Sequence, residues 1–242
     1  MKPLFTALML PLAALAVVDV AFMVASKHEP EWWRPMDYLK EDPRFGLVDW
    51  IDCTTFTPPL GVMQYYDVIF TGGQRSLHDQ DAFGDNLADY VDNGGFVIPI
   101  LYMLAYESGG VGIGGRWLEY GYSPYKPKEG SYWDWFSGRL LDLTILEPEH
   151  PIFQGVSYLN DVEYHVLGEL RPGAREIAYF TYPQYPGIAI NADDTVVALD
   201  YDCQRFDEWT GDGYLIMANA ACWLAEQTAV HKMSWGEIKA SF

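Results

Sequence analysis

The chain has 242 residues, half of them hydrophobic, with 34 acidic against 15 basic side chains and a formal charge of −19. So much apolar sequence argues against disorder over most of the length and provides for one large core. A surface this negative repels phosphate backbones, which sets nucleic acid aside as a partner.

Met1-Lys2 precede an apolar run from Pro3 to Ala16 that ends in Ala14-Leu15-Ala16. A positive start, an apolar stretch and a small-x-small end read as a secretory signal peptide. The alternative is an uncleaved first helix or strand. Asp19 stops the run short of the ~20 apolar residues of a membrane span, so no span is expected. The expected location is therefore secreted or periplasmic, and cytoplasmic if the segment is retained.

Residues 17–25 suit a central parallel strand buried on both faces. Trp32, Trp33, Met36, Tyr38 and Leu39 then form a helical stripe, with Pro35 in its first turn or at a kink. A short strand over 47–51 follows, then Thr57-Pro58-Pro59 as punctuation. Tyr66-Asp67-Val68-Ile69-Phe70-Thr71 reads as the third strand, closed by Gly72-Gly73. Asp79 or Ser76 can cap the next helix, whose buried side reads Phe83, Leu87, Tyr90 and Val91 and whose other face is acidic. Asn93-Gly94 ends it, and Phe96–Ile100 is the fourth strand. Strand, helix and strand here make a βαβ unit, which commits the core to an α/β fold with a parallel sheet.

Composition changes after Ile100. Residues 106–138 hold seven of the 22 glycines and many aromatic residues. Without helical periodicity they read as one ordered loop rather than a second domain. Residues 140–146 are apolar, and Glu147-Pro148-Glu149-His150-Pro151 is a turn leading to Ile152 and Phe153, expected to plug the core. Short strands are expected over 162–167, 176–181, 187–190 and 196–201, paired antiparallel because their connections are short. A helix over 213–227 closes the fold, leaving 228–242 as a tail. Cys53, Cys203 and Cys222 show no CxxC spacing and leave one disulfide plus a thiol, or three thiols, equally open.

Four segments in this order resemble a known family. They are Tyr66–Phe70, Asp89-Tyr90-Val91-Asp92-Asn93-Gly94-Gly95, His150-Pro151-Ile152-Phe153-Gln154-Gly155-Val156, and Thr195-Val196-Val197-Ala198-Leu199 before the last helix. Together they are similar to the class I glutamine amidotransferase-like fold, in the broad group that includes ThuA-like proteins. Gly114-Gly115-Arg116-Trp117 followed by Gly121-Tyr122-Ser123-Pro124 resembles an often exported subgroup. The resemblance covers residues 17–227 as one domain with 106–138 as an insertion. It implies a flavodoxin-like three-layer α/β fold, its central sheet mostly parallel, with added antiparallel strands in the C-terminal half. Glutaminases of this fold carry a cysteine on the elbow after the fourth strand, with a histidine and a carboxylate behind it. Leu101, Tyr102 and Met103 stand there, and none of the three cysteines follows that strand. Glutaminase activity is rejected on this ground.

Two kinds of site remain. In open α/β sheets ligands sit at the C-terminal strand edge, here near His28, Gln74, Arg75 and His78. With His165 and nearby carboxylates these are the groups of a ThuA-like hydrolase or sugar-modifying enzyme. The plainer reading makes the histidines loop residues, since no paired metal spacing exists. The other site is the aromatic loop, whose Arg116, Trp117, Tyr120, Tyr122, Tyr125, Trp133 and Trp135 offer rings for stacking on a glycan or anchoring a protein. Its plainer reading is a satellite core. Gly110-Val111-Gly112-Ile113-Gly114-Gly115 satisfies GxGxxG but lacks the strand before it and the acidic residue after it, so no dinucleotide is expected. No cofactor and no metal are expected. The preferred expectation is a non-catalytic binding or structural module acting through the loop.

Overall fold

The computed structural model describes residues 17–26, 30, 32–108, 110–128, 133–135, 141–161, 164–181, 185–204 and 209–240, and the side chains of 133–135, 161, 164, 185 and 228–240 are excepted. Strand β1 (Val18–Val24) lies between β2 (Phe45–Asp52) and β3 (Val68–Thr71), and β4 (Phe96–Pro99) pairs with β3. All four run parallel. Helix α1 (Trp33–Glu41) connects β1 to β2, with Pro35 buried in its first turn. The Pro58-Pro59 punctuation gives way to a single turn, α2 (Leu60–Met63). Helix α3 (Gln80–Asp92) connects β3 to β4, and the Asp79 carboxylate caps it by accepting from the Ala82 amide at 3.0 Å.

Side-chain alternation along these strands builds two cores, one on each face of the sheet. Val20, Phe22, Val24, Val68, Phe70, Phe96 and Ile98 point to one face with Met36 and Leu39 of α1. Ala21, Met23, Ile69 and Val97 point to the other with Phe83, Leu87 and Tyr90 of α3. Phe22 stacks on Phe70 at 4.7 Å. Each such buried ring contributes roughly 1.5–3 kcal/mol relative to exposure, so the near-continuous apolar runs of β1 and β3 explain why these strands are central.

After β4 the chain makes a 3-10 turn over Leu101–Leu104, then a six-residue helix α4 (Gly115–Tyr120). That helix lies in the segment expected to be loop, since fewer than two turns show no period in sequence. Strands β5 (Tyr125–Pro127), β6 (Trp133–Trp135), β7 (Leu141–Ile145), β8 (Leu159–Asp161), β9 (Tyr164–Val166), β10 (Gly168–Leu170), β11 (Arg175–Phe180), β12 (Tyr185–Ile190), β13 (Val197–Leu199) and β14 (Trp209–Gly211) follow. They pair antiparallel, in the order β13-β12-β11-β7-β8-β14, with β10-β5 and β6-β9 as separate ribbons. Parallel bridges Val97↔Val196 and Ile100↔Leu199 set β13 beside β4 and join the two halves. The expected fold class is the one observed, a flavodoxin-like three-layer arrangement with added antiparallel strands.

Ile152 and Phe153 are buried against α5 (Gly213–Ala240), as their place after the His150-Pro151 turn predicts. Helix α5 shares the face of the sheet that α1 covers, through Ile216, Ala220 and Leu224. It runs past Gln227, where the sequence reading ended it. Arg44 ties it to the sheet, gripping Asp42 at 2.6 Å and donating to Asn219 Oδ1 at 2.7 Å. All three cysteines are free thiols. Residues 1–16, which hold the expected signal segment, lie outside the described residues. Among the described residues no helix is long and apolar enough to cross a membrane.

Candidate functional site

The C-terminal edge of the parallel sheet is where the fold predicts chemistry, and it is packed shut at its centre. Leu101 sits directly after β4 with φ 36°, in the left-handed region that a non-glycine residue rarely adopts. The sharp elbow is therefore present, but it carries an aliphatic side chain. Leu101, Tyr102, Met103 and Leu104 are all buried. On β9, beside this turn, His165 is fully buried, with Nδ1 3.1 Å from the Asp200 carbonyl and 3.2 Å from Asp200 Oδ2. Asp200 Oδ1 accepts from the Val166 amide at 2.9 Å. Burial pushes the Asp200 carboxyl up, against the hydrogen bond from His165 that holds it down.

The remaining strand-edge candidates lie further out. Gln74, Arg75 and His78 are exposed on the loop after β3. Gln74 Nε2 donates to Asp202 Oδ2 at 3.2 Å, and Gln204 donates to the same oxygen at 3.2 Å. His78 is anchored by its backbone, donating to the Cys53 carbonyl at 2.7 Å. Gly73, at φ 111°, leaves no room for a Cβ against the Ala25 carbonyl. The Gly72-Gly73 turn thus serves close packing of β3 against the end of β1. His28 lies outside the described residues. Among the described residues no group of three or more His, Cys, Asp or Glu side chains is arranged to hold a metal.

The aromatic segment is positioned by the acidic face of α3. Asp81, Asp85, Asp89 and Asp92 recur at helical spacing and so share one side of the helix. Asp81 accepts from the Gly115 amide at 2.9 Å and Asp85 from the Arg116 amide at 2.8 Å. Protein carboxylates therefore occupy the start of α4, where a phosphate would have to sit if the glycine run were a dinucleotide motif. Further along, Arg116 pairs with Asp89 and, at 2.7 Å, with Asp92. Gln80 completes the attachment, its side-chain amide reaching the carbonyls of Glu107, Val111 and Gly112 at 3.1–3.2 Å.

The loop aromatics divide by burial. Trp117 and Tyr125 are core residues, each 2% exposed. Tyr125 Oη donates to Glu176 Oε1 at 3.0 Å. Tyr122 stacks on Trp117 with centroids 5.7 Å apart and donates to Asp92 Oδ1 at 2.8 Å. Tyr120 stands 74% exposed at the end of α4. Trp133 and Trp135 lie on β6, opposite Val166 and Tyr164 of β9, and their side chains fall outside the described residues.

Tyr120 and Tyr122 line a cleft of about 360 Å³ with Asp92, Ser123, Arg171, Asn191 and Asp193. It opens near the end of α3 and the start of β13, away from the elbow. Gly121 ends α4 in the left-handed conformation, φ 78°, and a Cβ there would stand 3.1 Å from an Arg171 guanidinium nitrogen. Glycine thus lets the arginine reach the cleft wall. Arg171 Nη2 donates to the Leu118 carbonyl at 2.9 Å, and its own amide donates to the Pro124 carbonyl at 2.9 Å. Burial lowers its pKa. Sequence reasoning singled out neither Arg171 nor Asn191 and Asp193. The only local signal is the turn-forming Pro172-Gly173 beside the arginine, and the rest comes from tertiary placement.

No protein-family model and no curated protein matches the sequence. Solved structures do. A protein from Bacteroides uniformis described as ThuA-like superposes with TM-score 0.65 at 14% identity, over 87% of this chain and 93% of that one. A cytoplasmic protein from Salmonella typhimurium gives 0.62 at 16% identity, over 85% and 98%. A β-galactosidase from Rahnella sp. gives 0.54 at 11% identity, with 89% of this chain matching only 31% of the enzyme. At these identities the likeness is one of fold, and the fold is that of the ThuA-like proteins, to which the amidotransferase-like fold is related.

Proposed function

We propose that this ThuA-like fold serves as a saccharide-binding module that holds its ligand in the Tyr120–Arg171 cleft and does not turn it over. The observation that carries the proposal is the composition of that cleft. One exposed ring and one fixed ring stand beside carboxylates and a guanidinium in a volume of about 360 Å³. Ligand cavities run from ~300 Å³ upward, so the space suits one or two sugar rings. Stacking of a sugar face on tyrosine supplies apolar contact, and Asp92, Ser123 and Asp193 can accept or donate at hydroxyls.

The elbow supports the absence of turnover. A buried leucine occupies the nucleophile's usual position, and the His165–Asp200 pair behind it has no exposed surface. The fold's occurrence as about a third of a sugar-cleaving enzyme is consistent with a saccharide-facing role. A second reading, a hydrolase working at the strand edge, draws on Gln74 and the clasped Asp202 near the sheet's C-terminal edge.

The test pairs calorimetric titration of mono- and disaccharides with chromatography of the same sugars after prolonged incubation. The proposal expects saturable binding, weakened by Tyr120→Ala, with the sugar recovered intact. Cleavage products would favour the hydrolase, and no binding by any saccharide would dismiss the proposal.

A further inference from the structure

We infer that the cleft selects an acidic saccharide, with Arg171 as the receptor for a carboxylate on the sugar ring. The inference rests on the saccharide reading above and adds the ligand's charge. Acidic side chains outnumber basic ones by 34 to 15, so an arginine in this chain should find a carboxylate easily. Arg44, Arg116 and Arg175 do so, with Asp42, with Asp89 and Asp92, and with Glu147 and Asp194. Arg171 makes no ion pair among the described residues. Its Nε is buried with no hydrogen-bond partner among them, and its one side-chain bond is to the Leu118 carbonyl.

Holding a half-buried guanidinium without a counter-charge costs stability, and its lowered pKa records the same penalty. The planar fork matches a carboxylate geometrically, and such charge-assisted pairs are among the stronger polar contacts. The carboxylates lining the same cleft do not fill this role. Asp92 is committed to Arg116 and Tyr122, while Asp193 is exposed on the rim, placed to accept from sugar hydroxyls. A hexuronic acid presents both groups together, a ring carboxylate and neighbouring hydroxyls.

The test compares three probes of matched shape by calorimetry: a methyl glucuronide, its neutral methyl ester, and methyl glucoside. The glucuronide is expected to bind about tenfold tighter or more than either neutral probe, the scale of one charge-assisted contact. Arg171→Gln is expected to abolish that preference while leaving the neutral affinities in place, and Arg171→Lys to retain part of it. Equal binding of all three probes by the unaltered protein overturns the inference and leaves the saccharide reading standing. A preference that survives in Arg171→Gln also overturns it. Binding of none of them removes both readings. The comparison within the unaltered protein needs no variant, so it holds even if Arg171→Gln fails to fold.

Discussion

His165 Nδ1 lies 3.2 Å from Asp200 Oδ2, and neither side chain has any exposure. Asp200 also accepts from the Val166 amide, so the pair ties β9 to the end of β13 beneath the elbow turn. Its position resembles that of a catalytic pair, but its burial makes it part of the structure. Removing one partner of a buried pair strands the other. Asp200→Ala is therefore expected to lower unfolding stability by about 3–5 kcal/mol, and Asp200→Asn, which keeps an acceptor for Val166, by less. Urea unfolding measures both. A loss below ~1 kcal/mol, within the usual range of surface changes, would remove the structural assignment.

The elbow gives an unusual ordering of two truncations. At an ordinary buried site Gly is worse than Ala. At Leu101, φ 36° penalises any residue with a Cβ, so Leu101→Gly should be more stable than Leu101→Ala by about 1 kcal/mol. Both should fall below the unaltered protein by ~2–5 kcal/mol, since both empty a packed site. The reverse order by thermal or urea denaturation would mean the turn is not held left-handed.

Glu176 carries the clearest pH signature. Burial pushes its carboxyl up, the Tyr125 hydrogen bond opposes this, and the Asp200 charge adds to the rise. A carboxyl whose pKa is raised by folding contributes stability that is full below its unfolded value and is lost as pH climbs through the folded one. Glu176→Gln resembles the protonated side chain. Its melting temperature should match the unaltered protein in acid and exceed it increasingly as pH rises through the raised value toward neutrality. A constant difference across that window would show that Glu176 is not the titrating group.

Binding and stability should separate within the aromatic segment. Trp117→Ala empties a buried site and should cost ~3–5 kcal/mol. Tyr120→Ala removes an exposed ring, so its stability change should stay within ~0.5 kcal/mol while saccharide affinity drops. Paired denaturation and titration check this. A Tyr120→Ala protein that binds normally would take the exposed ring out of the site.

These residues also mark how far the sequence could be read. Alternation along Val20–Val24 and Val68–Phe70, and the 3.6-residue period of Phe83, Leu87 and Tyr90, directly express which face each side chain buries, so the parallel half of the fold was legible. So was the lack of an elbow nucleophile. Helix α4 was not, because six residues carry no period and its stability comes from Asp81, Asp85 and Asp89 on another helix. That acidic stripe was visible as a face, but its role as an anchor was not. The cleft was legible only on its Tyr120–Tyr122 side. Its other wall, at Arg171 and residues 191–193, is brought near by the β11–β12–β13 meander, and no local pattern reports such placement.

Amide chemical-shift mapping during titration with an acidic oligosaccharide, with the integrity of the sugar followed in the same sample, tests the central claim most directly. The account predicts shifts concentrated at residues 120–123, 171–174 and 191–195, and an unchanged sugar. Shifts centred on residues 71–75 and 200–204, or the appearance of cleaved sugar, would contradict it.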